Sequence, residues 1–172
     1  MEHEIQVLGF STVVEDIPDL IGKVYDVTSN LNGTTSNSCV IQLLNADGVA
    51  GEEHVLHAAE QAIIAFKRKE NIANDLGLEI CVRASAQRQI SKALQILGLK
   101  EGLNNICAVI VDCDEGAGKK LELLLGKRDD TLLKADTTHL KDLYQISDEE
   151  IENSGGIART MIERTSLLIL EA

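Results

Sequence analysis

The chain is poor in aromatic rings, with two Phe, two Tyr and no Trp in 172 residues. Phe10, Tyr25, Phe66 and Tyr144 cannot build the stacking platform on which single-strand readers lay successive bases. Cationic charge is also scarce. Sixteen Lys and Arg face 28 Asp and Glu, for a net charge of −12 and a pI near 4.7. That balance excludes a broad coat on DNA or on an anionic membrane. Long hydrophobic runs are missing too: the longest weakly polar stretch, Gly102 to Val111, is about half the roughly twenty residues that span a bilayer. The opening MEHEIQ puts acids where a secretory signal carries basic residues. No C-x-x-C pairs any of Cys39, Cys81, Cys107 and Cys113, so they read as buried reduced thiols, with zinc or a disulfide as the lesser alternative. Together these absences predict a soluble, cytoplasmic protein.

What is present supports a single domain over residues 1–172, since 44% apolar content in this length buries roughly two-thirds of the unfolded chain's surface. Three short runs rich in large or β-branched apolar residues are expected strands: 38–44 (SCVIQLL), 78–84 (LEICVRA) and 106–111 (ICAVIV). Between them, Val55, Ala59, Ala62 and Phe66 mark one helical face, and Ile90, Ala93, Leu94 and Leu97 a second, ended by Gly98 as a left-handed cap. The expected fold is therefore α/β of the mixed α+β kind, with a central mixed sheet, a β-α-β-α-β core and flanking helices. Residues 4–9 suggest an edge strand, Pro18 the start of a helix reaching about Ser29, and 31–37 (LNGTTSN) a polar loop. Ser147 with Glu150 forms a capping box, and Gly155-Gly156 separates that helix from an apolar-striped segment carrying Ile157 and Met161. The last stretch, 166–170, fits strand or helix.

Catalytic chemistry finds no footing. Gly116-Ala117-Gly118-Lys119-Lys120 fails as a phosphate loop, because Cys113 stands where the first glycine belongs and Lys120 where Ser or Thr belongs. It reads as a turn into a helix. His54 and His57 share a helix face but lack a third ligand at motif spacing, and no nucleophile has an identifiable base. No catalytic residue, metal site or cofactor is assigned.

One segment inverts the sign of the charge. Residues 67–92 hold six basic residues (Lys67, Arg68, Lys69, Arg83, Arg88, Lys92) and three acids, a local +3, while the rest holds 10 basic and 25 acidic, or −15. With a strand over 78–84, Arg83 sits at its carboxyl end and Ser85 caps the next helix, placing Arg88 in the first turn and Lys92 one turn on. The free amides, Arg83, Arg88 and Lys92 then converge on one small anion. The alternative is a set of solubilising charges, with Arg83 paired to Glu79.

The runs Asn45-Ala46-Asp47, His54-Val55-Leu56-His57-Ala58 and above all residues 79–90 (EICVRASAQRQI) resemble the PRPK-binding protein, or CGI-121, family, the small subunit of the KEOPS complex. The similarity runs from about Gln42 to Gly102, with a weaker likeness in the tail from Ile157. It departs at Ala86, where the family pattern has glycine. The resemblance implies a non-catalytic subunit that binds the kinase-like ATPase of the complex and holds transfer RNA by its 3′ CCA end for threonylcarbamoyl-adenosine (t6A) modification. It implies no membrane and no DNA partner. Carried onto this sequence, Arg83, Arg88 and Lys92 contact phosphates, with Lys67, Arg68 and Lys69 as a basic flank. Asn45, His54 and Gln87 are candidates for base or sugar contacts. Ile157, Met161 and Ile162 are candidates for the partner-binding face, unless that face closes the core. Two rivals stand beside this reading: a small enzyme or binding protein for a phosphorylated metabolite at Arg83 and Arg88, and an interaction module that meets acidic protein.

Overall fold

The computed structural model describes residues 3–32 and 39–170. Its centre is strand β3 (Gly102–Val111), paired antiparallel on one side with β1 (Ile5–Val14) and on the other with β2 (Val40–Asn45), giving the order β1-β3-β2. Ile5 and Val40 both face Val111, and the two registers run on without interruption to Val14 opposite Gly102 and Asn45 opposite Ile106. Every residue from Ile106 to Val111 is buried because helices cover both faces of the sheet, so the strand needs a continuous apolar run instead of an alternation.

Eight α-helices surround the sheet among the described residues. On one face α1 (Ile17–Asn32) and α5 (Ala117–Leu125) bring Leu20, Val24, Leu121 and Leu125 against Phe10, Ile41, Leu43 and Ile106. On the other, α2 (Glu52–Lys67), α3 (Leu76–Ser85) and α4 (Ile90–Leu97) pack Val55, Ala59, Ile80 and Leu97 against Leu44, Cys107 and Val109. A third cluster joins Ala50 to Leu140 and Tyr144 of α6 (Thr137–Tyr144), to Ile146, and to Met161 of α8 (Ile157–Leu170). Between these helices lies α7 (Asp148–Ser154), where Ser147 Oγ accepts from Glu150 N at 3.1 Å as the capping signature requires. The two following glycines, at φ of 93° and 130°, break the chain before α8.

The mixed α+β class stands, but the sheet is antiparallel and the β-α-β-α-β core is not formed, because 78–84 is helix and not strand. Asp75 decides it: its Oδ1 accepts from Leu78 N at 2.8 Å and caps α3. From Ile80 to Ser85 every residue of α3 is buried, so no polar face betrays the helical period. Three local expectations change with it. Ser85 ends α3 and does not cap α4, and Arg88 precedes the first turn of α4. Gly98 is extended, not left-handed; its lack of a side chain matters because a Cβ there would lie 2.4 Å from Leu94 O. The edge strand is found and is longer than expected, the Pro18 helix is α1, and 166–170 is helical. Of the expected polar loop, Leu31 and Asn32 close α1, and the remainder lies outside the described residues. Cys39 and Cys113 form a disulfide between the start of β2 and the residues after β3, which corrects the expectation of four reduced thiols. Cys81 and Cys107 are free and buried, and burial raises both thiol pKa values, that of Cys81 to about 12.

Candidate functional site

Helix α3 is organised around a buried ion pair. Glu79 is fully buried, and its Oε1 accepts from the amides of Ile72 and Ala73 at 2.8 and 2.6 Å. Its Oε2 accepts from Arg83 Nε at 2.7 Å, four residues on, in the favourable order of acid before base. Arg83 is only 3% exposed. The sequence reading put this guanidinium at a strand end, open to a phosphate; on a helix its i−4 neighbour is Glu79, and the carboxylate seals it. Arg83 is thus a positioning residue in the packed body, and its charge is cancelled at short range.

The carboxyl end of α3 is held by two other helices. Thr165 of α8 donates to Arg83 O at 2.9 Å, and His54 of α2 bonds through Nε2 to Ala84 O at 2.8 Å. His54 Nδ1 accepts from Ala50 N at 3.0 Å, so the ring carries its proton on Nε2. Burial lowers its pKa to about 4, and both nitrogens are engaged. His54 is therefore a neutral cross-brace, which corrects its assignment to RNA contact and leaves no lone pair for a metal. His57, three residues on, bonds to Ser166 Oγ at 2.9 Å.

Ala86 closes α3 in the left-handed conformation at φ 56°, with its amide donating to Arg83 O. Gln87 follows half-buried, its backbone amide bonded to Ser85 Oγ at 3.3 Å. Arg88 is exposed, and its Nη1 donates to Leu168 O on α8 at 3.1 Å. Helix α4 then begins at Ile90 with no side-chain cap and no acid in its first turn. Its first amides have no side-chain acceptor, and Lys92 is exposed in that same turn.

Arg88 also lines a depression of about 40 Å³, together with Gln61, Arg68, Glu70, Arg83 and Leu168, among others. The structure thus brings together Arg68, Arg83 and Arg88 from the expected set. With Arg83 neutralised by Glu79, the free charges are Arg68 and Arg88 against Glu70, a smaller excess than the sequence suggested. Lys67 and Lys69 are exposed at the end of α2. Asn45, half-buried, spends its Oδ1 on Asp47 N at 3.0 Å, capping a 3-10 turn. Sequence reasoning missed Gln61, whose Oε1 is buried without a hydrogen-bond partner among the described residues. It sits seven residues before Arg68, the C-cap of α2, with Ile64 and Ala65 between, a spacing that aligns all four along one side of the helix and its end.

The expected partner face fares differently. Met161 is wholly buried among Leu140, Tyr144 and Ile146, Ile157 packs against the same cluster, and Ile162 is half-buried. The alternative holds for Met161: it closes the core and has no surface to offer a partner.

The sequence profile of a family described as kinase binding protein CGI-121 matches residues 14–168. The chain belongs to the CGI-121 family. A relative described as regulatory protein Cgi121, from Methanocaldococcus jannaschii, is 38% identical over 130 residues, covering 76% of this chain and 83% of the relative. The match spans both halves of the site, from α2 through the turn at Ala86 to α8. In this CGI-121 chain no helix among the described residues is long and apolar enough to cross a membrane.

Proposed function

We propose that the chain is a non-catalytic cytoplasmic subunit that docks on a kinase-like ATPase and recruits transfer RNA through its 3′ CCA end for t6A modification. The kinase half rests on the family, which is named for kinase binding. The RNA half rests on one observation: Arg68 and Arg88 line a shallow depression, with the uncapped start of α4 two residues after Arg88, on a chain otherwise strongly acidic. A cavity of about 40 Å³ holds a few waters and no sugar phosphate, which argues against a metabolite enzyme and for a point contact on a phosphate. Arg88 keeps guanidinium donors beyond the one spent on Leu168 O.

Comparing intact transfer RNA with the same RNA lacking its CCA end tests the reading; equal affinity for both contradicts end capture. Arg88→Glu is expected to weaken RNA binding and to reduce the salt slope by about one unit per lost phosphate. A slope that does not move removes Arg88 from the contact.

A further inference from the structure

The two outer edges of the sheet are treated differently. The edge of β1 is covered: Asp129 N donates to Gly9 O at 2.7 Å, Gly9 N donates to Asp130 Oδ1 at 3.0 Å, and Phe10 bridges to Arg128. Among the described residues, β2 has no strand on its outer edge and receives no such backbone bond from elsewhere. It also lacks the usual protections, having no proline, no charge and no bulge in VIQLLN.

A groove of about 780 Å³ runs along that edge. Five consecutive residues, Cys39 to Leu43, line it. Successive side chains of a strand point to opposite faces, so contact with five in a row places the groove along the edge and not over one face. Its walls are α1 on one face of the sheet, with Ile21 and Tyr25 at 57% and 69% exposure, and the start of α3 with α4 on the other, where Leu94 is 45% exposed. Among the described residues, Asp75 is the only charged one that lines it.

We infer that this groove accepts an extended segment of the kinase-like partner, which adds a fourth strand beside β2. The inference rests on the kinase half of the proposed function. Unpaired strand amides and carbonyls recognise another strand and not a helix, whose own backbone is already bonded. The apolar walls take side chains alternately from the two faces of the added strand. The net charge of −12, with Asp75 on the groove wall, favours a basic segment and disfavours a second copy of the chain. Residues 33–38, Gly-Thr-Thr-Ser-Asn-Ser, carry no apolar side chain with which to fill the groove.

The test uses the full chain and the purified kinase-like ATPase from the same genome. Tyr25→Glu and Leu94→Glu are each expected to weaken binding by about 30-fold or more, as loss of an interface hot spot does. Leu123→Glu, at an 89% exposed site outside the groove, is expected to bind as the wild type does. In the complex, hydrogen exchange is expected to slow at alternate amides of Val40 to Asn45, those that point away from β3. Groove variants that bind normally, or β2 amides that exchange as in the free chain, overturn the inference while leaving kinase binding intact. Failure of the wild-type chain to bind the kinase overturns the kinase reading and the inference with it. Self-association abolished by the same substitutions assigns the edge to a second copy and overturns the chosen occupant.

Discussion

Glu79→Gln separates the structural role of Arg83 from an RNA-binding role. The substitution keeps shape and an acceptor for the amides of Ile72 and Ala73, but leaves the guanidinium of Arg83, 3% exposed, without its carboxylate. Removing one partner of a buried pair costs about 3–5 kcal/mol, against a total stability of about 5–15 kcal/mol for a typical domain. Arg83→Met should destabilise through the converse loss, leaving the Glu79 carboxylate with two amides but no cation. The double variant Glu79→Gln/Arg83→Met removes both charges and should recover much of the deficit, so the two losses are strongly non-additive. Urea unfolding followed by circular dichroism reads the midpoint and slope. RNA titration of Arg83→Met at several salt concentrations, under conditions where it stays folded, reads the contact: the slope should equal that of the wild type, since the buried cation meets no phosphate. If Arg83→Met costs less than about 1 kcal/mol while lowering the salt slope by about one unit, the guanidinium is a phosphate ligand and the pair is incidental.

Three further outcomes are expected. Ala86→Gly should stabilise by about 1 kcal/mol and raise the melting temperature by about 2–4 °C, because φ 56° strains a residue with a Cβ; a lower melting temperature would show that the turn is not strained. The Cys39–Cys113 disulfide joins residues 74 apart, so reduction or Cys39→Ser should cost roughly 2–4 kcal/mol. Thiol titration of the unreduced, denatured chain should find two free thiols, and four would refute the bond. For His54 the folded pKa is depressed from 6.5 to about 4, so between these values the unfolded chain binds more protons and stability rises with pH. Stability should therefore be lost as pH falls from about 6.5 toward 4, by about 3 kcal/mol at the most. His54→Gln should remove that slope, and a slope that survives assigns it elsewhere.

The elements legible in the sequence carry one dry and one wet side, an unbroken run of apolar strand formers, or a cap. The helix at 52–67, the strand Val40–Asn45, the buried run of β3 and the Ser147 cap all follow from periodicity or punctuation. The segment from Leu78 to Ala84 does not, because a helix enclosed by α2, α8 and the sheet has no polar stripe and its β-branched content mimics a strand. That one misreading moves Ser85, Arg83 and Arg88 together: a strand separates Glu79 and Arg83 by about four rises of 3.3 Å, whereas a helix stacks them. The approach of Arg68 to Arg88 and the pairing of Cys39 with Cys113 depend on how distant segments pack, which no local window contains. Met161 was ambiguous for a different reason, since an apolar helical stripe looks the same whether it faces a core or a partner.

Arg83 and Arg88, five residues apart, show what a workable cationic contact requires of its neighbours. Both are fixed by protein acceptors, but Arg83 meets a carboxylate and Arg88 a carbonyl oxygen. A carboxylate supplies a full opposite charge, so the Arg83–Glu79 pair projects little field beyond the core. A carbonyl orients the guanidinium without cancelling it, and the remaining donors belong to an exposed side chain. The carbonyl that holds Arg88 belongs to α8, the helix whose Thr165 also pins the end of α3. The placement of the free charge therefore depends on α8 as much as on the turn that carries the arginine. In the proposed RNA contact the contribution of α8 is the fixing of a cation, which a loosened α8 would surrender as a lost entropic advantage without removing any charge.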